Sequence, residues 1–168
     1  MAISSAVSSQ DILGADGSLA ARLPGFTPRR AQQEMAARIE QVLADYSVFV
    51  AESGTGTGKT FAYLVPALLS GKKILISTGT RHLQDQLYHR DLPLVREALG
   101  VPVSTALLKG RSNYLCRHRL ERVEGDGRLA GRRDQSNLTR IREWGGRTRR
   151  GDIAETDTVP EESDLWPL

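Results

Sequence analysis

Glu52-Ser53-Gly54-Thr55-Gly56-Thr57-Gly58-Lys59-Thr60 is the stretch on which the reading of this chain turns. It follows the apolar run Val48-Phe49-Val50 and leads into the apolar-rich segment Lys59 to Ser70. Strand, glycine-rich turn and Lys-Thr at a helix start form the setting of a phosphate-binding loop. Backbone N–H groups turned inward make a nest for phosphates, and glycines supply the dihedrals and close approach it needs. The amino end of the following helix adds partial positive charge. On this reading Ser53, Gly54, Thr55, Gly56, Thr57 and Gly58 cradle a triphosphate. Lys59 reaches its β- and γ-phosphates, and the Thr60 hydroxyl coordinates Mg²⁺. The usual pattern has Gly where Ser53 stands. Ser is small, and Gly54 and Gly56 keep the turn flexible. The competing reading is a flexible Gly/Thr turn that only resembles the motif.

Working outward, residues 1–24 are rich in Ser, Ala and Gly and are expected to form a mobile arm with a short helix near Ile12 to Leu23. Met35, Ile39, Val42 and Leu43 recur at three- and four-residue spacing, which predicts an amphipathic helix from Arg30 to about Asp45. Lys59 to Ser70 reads as a helix stopped by Gly71 and kinked at Pro66. Thr80 to Arg90 and Leu94 to Leu99 read as helices, with Gly100 as a stop. Ser47 to Ala51, Lys73 to Ser77 and Val103 to Leu108 are short apolar runs of strand length. Strands alternating with helices predict an α/β fold, a parallel sheet covered by helices on both faces. Past Lys109 the pattern weakens, with Gly125, Gly127, Gly131, Gly145 and Gly146 interrupting an Arg-rich stretch.

The 168 residues suffice for one domain with a real core. The net charge of +3 is segregated: residues 109–150 carry 13 Lys/Arg against 5 Asp/Glu, net +8, and residues 151–168 carry 6 acids and no bases, net −6. Such an order suits a polyanion groove beside a solvated connector, or simply a solvated Arg-rich helix face. One cysteine leaves no internal disulfide and suits a reducing cytoplasm. The start lacks a cationic region followed by an apolar one, and no apolar run approaches the roughly 18 to 20 residues of a membrane span. A cytoplasmic location with no membrane partner is expected.

Three flanking segments carry a resemblance. Pro24-Gly25-Phe26-Thr27-Pro28-Arg29, followed by Gln32 and Met35, resembles the adenine-reading Q-motif of superfamily 2 helicases; a Gln amide has the donor and acceptor that an adenine edge needs. Ser77-Thr78-Gly79-Thr80, then Leu83-Gln84-Asp85-Gln86-Leu87, resembles helicase motif Ia, which holds phosphates of single-stranded DNA. Leu107-Leu108-Lys109-Gly110-Arg111-Ser112-Asn113-Tyr114-Leu115-Cys116 is similar to the start of the iron–sulfur domain of DinG/XPD-type 5′→3′ DNA helicases, nearest the bacterial YoaA-like (DinG-like) branch. Taken singly, each has a plainer reading: an exposed Gln, a Ser/Thr helix cap, a small buried Cys.

The resemblance, from about Leu23 to Leu168, implies a RecA-like P-loop domain over residues 25–108 and the start of an iron–sulfur domain over residues 109–168. It implies ATP and Mg²⁺ at the loop, Arg29 and Gln32 near the base, and Thr78, Thr80, Gln84, Lys109 and Arg111 near DNA. It makes Cys116 the first of four thiolates on a 4Fe–4S cluster, and Asp164 to Leu168 the segment before the second. Three of those cysteines, the Asp-Glu acidic motif and the second motor domain are not in the sequence, so the chain reads as an amino-terminal fragment. Weak ATP binding and negligible hydrolysis are expected of it. The intact parent would be an ATP-dependent helicase acting on single strands and duplex junctions, with repair or replication proteins as partners. The alternatives are a P-loop kinase or other NTPase, which would need its own acidic Mg²⁺ ligand and lid, and a non-catalytic DNA-binding truncation product.

Overall fold

A computed structural model describes residues 7–125, 132–157, 159, 160, 163, 165 and 166. Gly127 and Gly131, and Asp164, Pro167 and Leu168 of the terminal segment, lie outside the described residues. The chain forms two compact units, Met1–Ala106 and Leu107–Leu168.

The first unit is a set of helices around one apolar core. Helix α1 (Ser9–Ile12) starts at a reciprocal cap: the Ser8 hydroxyl accepts the Asp11 N–H at 3.2 Å, and the Asp11 carboxylate accepts the Ser8 N–H at 3.0 Å. Helix α2 (Ser18–Arg22) follows a turn in which a Cβ on Gly17 would lie 2.2 Å from the Ile12 carbonyl oxygen. The expected single short helix is thus two. Residues expected in a mobile arm place Leu13 and Leu19 fully inside the core, each such side chain contributing about 1.5–3 kcal/mol by burial.

Helix α3 (Arg30–Asp45) buries Gln32 and Ala36, with Met35 packed beside them. It ends at Tyr46, which takes the left-handed conformation at φ 53°. Helix α4 (Lys59–Leu69) is the apolar centre, burying Ala62, Leu64, Val65, Pro66 and Leu68. The predicted helices after Thr80 form one continuous segment: α5 (Arg81–Gln86), a π-helical turn (Leu87–Asp91) and α6 (Leu92–Leu99), closed by Gly100. Helix α3 packs on α4, and α4 on α6 and on the π-helical turn.

The expected parallel sheet is not formed among the described residues. Ser47–Ala51, Lys73–Ser77 and Val103–Leu108 carry no strand ladder. Exposure nevertheless alternates along them: Val48 is 89% exposed, Phe49 38% and Val50 89%, and Leu75 is 94% exposed between Ile74 and Ile76. The period of two belongs to the side chains and survives in any stretched chain, whereas a strand is defined by backbone hydrogen bonds to a neighbour. Apolar composition supplies the first and not the second.

In the second unit, helix α7 (Arg117–Gly125) and helix α8 (Arg132–Arg147) are flanked by 3-10 turns at Arg111–Asn113 and Ile153–Glu155. Tyr114 and Asp152 form an antiparallel bridge, and the Leu115 N–H donates to the Gly151 carbonyl at 2.8 Å. Lys109 and Asp152 form an ion pair at 2.9 Å with side chains only 10% and 13% exposed. The Lys109 N–H donates to the Tyr114 hydroxyl at 2.9 Å. Trp144 and Trp166 meet edge to face with centroids 5.9 Å apart. Ile141, Ile153 and Val159 are buried.

Candidate nucleotide-binding site

The Gly-rich loop lies between the run ending at Ala51 and the amino end of α4, as the spacing predicts. Gly56 and Gly58 have φ of 73° and 84°, backbone angles that a side chain rarely adopts. Gly58 is the residue from which α4 starts. Ser53 has a role of its own at the unusual position: its hydroxyl pairs with that of Thr57 at 2.6 Å, and Thr57 in turn donates to the Gly54 carbonyl at 3.0 Å. The Lys59 ammonium donates to the Ser53 and Gly54 carbonyls. The loop is therefore folded around its own lysine, with Thr55 exposed at its tip and Thr60 half-buried in the first turn of α4.

The Q-motif-like segment closes on this loop from α3. Arg29 donates to the Gly56 carbonyl, and the Gln32 amide donates to the Gly58 carbonyl at 2.9 Å. Gln32 is buried, and its Oε1 has no partner among the described residues. Between these groups lies a cavity of about 290 Å³ whose walls include Phe26, Arg29, Gln32, Gly56, Gly58 and Phe61. Its size is that of a small-ligand pocket, apolar with a few convergent polar groups. Phe26 and Phe61 meet edge to face with centroids 6.4 Å apart. Phe61 was not singled out by the sequence reading; its place directly after Lys59-Thr60 was the available signal.

Tyr63 lies one turn beyond Thr60. Burial raises its phenol above the ordinary tyrosine range; a hydrogen bond with the Thr60 side chain opposes this, and the Asp91 charge adds to it. Thr80 caps α5, its hydroxyl accepting the Leu83 N–H at 3.2 Å. Thr78 donates to the Thr80 carbonyl at 3.4 Å, and Gln84 lies half-buried on α5. Lys109 and Arg111 belong to the second unit, Lys109 turned to Asp152 and Arg111 exposed.

Cys116 is the chain's one cysteine and is exposed immediately before α7. Among the described residues no three His, Cys, Asp or Glu side chains are grouped to hold a metal ion. One thiolate does not make an iron–sulfur site, because such a cluster needs its full ligand set. Mg²⁺ is a different case. It is commonly held by one or two protein oxygens together with the phosphates, and the Thr60 hydroxyl beside Lys59 fits that donor set. Among the described residues no helix is long and apolar enough to cross a membrane.

The DEAD/DEAH box helicase family model matches residues 29–125, a span that contains the loop, α3 to α6 and Cys116. The chain is 48% identical over 158 residues to the ATP-dependent DNA helicase YoaA of Escherichia coli, covering 94% of this chain and 25% of that protein. It is 45% identical over 157 residues to the ATP-dependent DNA helicase YoaA of Haemophilus influenzae, covering 94% of this chain and 24% of the relative. Similarity extends to the 3′-5′ exonuclease DinG of Bacillus subtilis, at 33% identity over 159 residues, 91% of this chain and 17% of that one. The chain thus spans about a quarter of the length of the YoaA relatives.

Proposed function

This chain belongs to the DEAD/DEAH box helicase family, and on that premise we propose that it is the nucleotide-gripping part of the first, RecA-like motor domain of an ATP-dependent DNA helicase of the DinG/XPD type. The observation that carries the proposal is the closure of Arg29 and Gln32 onto the Gly56 and Gly58 carbonyls around a ligand-sized cavity. The adenine would sit against Phe26 and Phe61, with the buried, unpartnered Gln32 Oε1 turning to accept from its amino group. A buried acceptor without a donor costs about 1–3 kcal/mol, so filling it favours the base that presents an N–H there.

Phosphates would enter the loop as Lys59 exchanges the Ser53 and Gly54 carbonyls for phosphate oxygens, and the N–H groups of residues 54–60 would turn to the same anion. Thr60 would hold Mg²⁺, which neutralises charge on the β- and γ-phosphates when bound. In the whole protein the work would be 5′→3′ movement along single-stranded DNA and opening of duplex junctions during repair or replication, in the cytoplasm. Thr78, Thr80, Gln84 and Arg111 would lie toward the strand, and the +8 charge of residues 109–150 supports a polyanionic partner. Lys109 would serve that surface by holding Asp152 in place. The iron–sulfur cluster implied by the resemblance would need thiolates besides Cys116.

The test is binding of a fluorescent ATP analogue with Mg²⁺ to the purified chain. ATP should compete better than GTP. Lys59→Ala should weaken binding by about tenfold or more, as expected for loss of a charge-assisted contact, and Gln32→Ala should erase the preference for ATP. Equal competition by GTP, or variants binding as the wild type does, would remove the proposal's basis.

A further inference from the structure

Ser53 stands where the usual phosphate loop has glycine, and it brings a hydroxyl that glycine cannot supply. That hydroxyl lies 2.6 Å from the Thr57 hydroxyl, which donates to the Gly54 carbonyl at 3.0 Å. A hydroxyl has one proton to donate. With the Thr57 proton directed at Gly54, the proton between the two hydroxyl oxygens is that of Ser53. The order is therefore set: Ser53 donates to Thr57, and Thr57 donates to the Gly54 carbonyl.

This chain ties the start of the loop to its end, across the exposed residues Gly54, Thr55 and Gly56, while Ser53 and Thr57 are themselves half-buried. It is separate from the lysine contacts. The Lys59 ammonium is held by the Ser53 and Gly54 carbonyls. When Lys59 turns to phosphate oxygens, the Gly54 carbonyl still has Thr57 as its donor, so the tie outlasts the exchange. Within the loop, positive φ is confined to Gly56 and Gly58. Position 53 therefore does not require glycine, and serine there confines a backbone that glycine would leave freer.

We propose that the Ser53 and Thr57 hydroxyls brace the empty loop in the arrangement that receives the phosphates, and so set how fast and how tightly the nucleotide binds. The brace rests on the nucleotide reading above. A flexible loop must be ordered as it binds, and a loop already held in its binding form avoids that cost. Where only a fraction of molecules holds that form, the apparent affinity falls by the same fraction. Loss of one net hydrogen bond changes the ratio of the two forms by about two- to tenfold. Ser53 and Thr57 are thus positioning residues, acting through the Gly54 carbonyl on the nest of backbone N–H groups and not on the phosphates.

Stopped-flow mixing of the purified chain with methylanthraniloyl-ATP and Mg²⁺ tests this by separating association from dissociation. In Ser53→Ala and in Thr57→Val, association should slow by about two- to tenfold while dissociation stays within about twofold of the wild type. Thr57→Ser keeps the hydroxyl and should associate as the wild type does. The double variant Ser53→Ala with Thr57→Val should be no slower than the slower single one, because both break the same chain. Faster dissociation with unchanged association in Ser53→Ala would mean that its hydroxyl holds phosphate directly, and the brace is then wrong. Association in Ser53→Ala as fast as in the wild type or faster, or additive losses in the double variant, also rejects it. Wild type and Lys59→Ala binding alike, or no binding by the wild type, sinks the nucleotide reading and the brace with it.

Discussion

Gln32 donates to the Gly58 carbonyl at 2.9 Å, and a Cβ on Gly58 would stand 2.2 Å from that same Gln32 nitrogen. The two residues are 26 apart in sequence, and each has the form the other requires. Gly58 at φ 84° lets its carbonyl face α3 and starts α4 in one residue. The buried Gln32 amide fills the space that the missing side chain leaves. The third glycine of the loop thus fixes the position of Gln32 as well as the start of α4.

Gly58→Ala should therefore fail for two reasons. The left-handed backbone costs a residue with a Cβ about 1–2 kcal/mol, and the added methyl displaces Gln32 from its bond. Nucleotide affinity should fall by about tenfold or more, with a lower thermal midpoint. Gly54→Ala, where a Cβ meets only the Thr57 methyl at 3.8 Å, should fold as the wild type does. Parallel calorimetric melting and nucleotide titration of the two variants check this, and equal behaviour would refute it.

The Lys109–Asp152 pair predicts a double-mutant cycle. Both side chains are nearly buried, and removing one partner of such a pair leaves an uncompensated charge at a cost of about 3–5 kcal/mol. Lys109→Met should loosen the second unit severely, whereas Lys109→Met with Asp152→Leu should recover much of the loss. Both tryptophans, Trp144 and Trp166, lie in this unit, so denaturant unfolding followed by their fluorescence reports on it. Losses that simply add would show that the pair is not coupled.

The loop, α3, α4 and the Gly100 stop were legible because each rests on local chemistry: glycine at positive φ, apolar spacing, a helix terminus. The resemblance singled out Arg29 and Gln32, but nothing in the sequence says that they meet the Gly56 and Gly58 carbonyls. The sheet was not legible in the same way. Val48–Val50 and Ile74–Ile76 have strand composition and strand alternation, yet a ladder depends on which backbone lies alongside. Leu13 and Leu19 were missed inside a Ser/Ala/Gly-rich segment because composition averaged over residues 1–24 hides two leucines that the Gly17 turn brings to one core. The π-helical turn at Leu87–Asp91 carries no recognisable sequence signal, and Asp91 on a polar helix looks like any solvated acid until its burial is seen.

The cap of α1 should respond to acid. Hydrogen bonding from the Ser8 side chain, then from its backbone N–H, holds the exposed Asp11 carboxyl below its ordinary value of 3.8. A lowered folded value means that the contribution is complete above the ordinary value and disappears as pH falls through the folded one. Amide exchange at residues 9–13 should therefore show loss of protection only at strongly acidic pH, and Asp11→Ala should show that loss already at neutral pH. Protection indifferent to the substitution would mean that the core side chains Ile12 and Leu13 hold α1 without the cap.

Tyr63 gives the alkaline counterpart. Burial, offset by the Thr60 hydrogen bond and reinforced by the Asp91 charge, raises its phenol above the ordinary value of 10.0. Between that value and the folded one, the unfolded chain releases this proton and the folded chain keeps it. Stability is thus fully present below the ordinary value and is lost as pH rises through the folded one. Tyr63→Phe should remove a late-ionising phenol from the ultraviolet titration of the chain. The wild type should also lose stability more steeply than Tyr63→Phe above about pH 10. If the variant removes an ordinary ionisation instead, the Tyr63 phenol is open to water and its side chain does not pack against the core as found here.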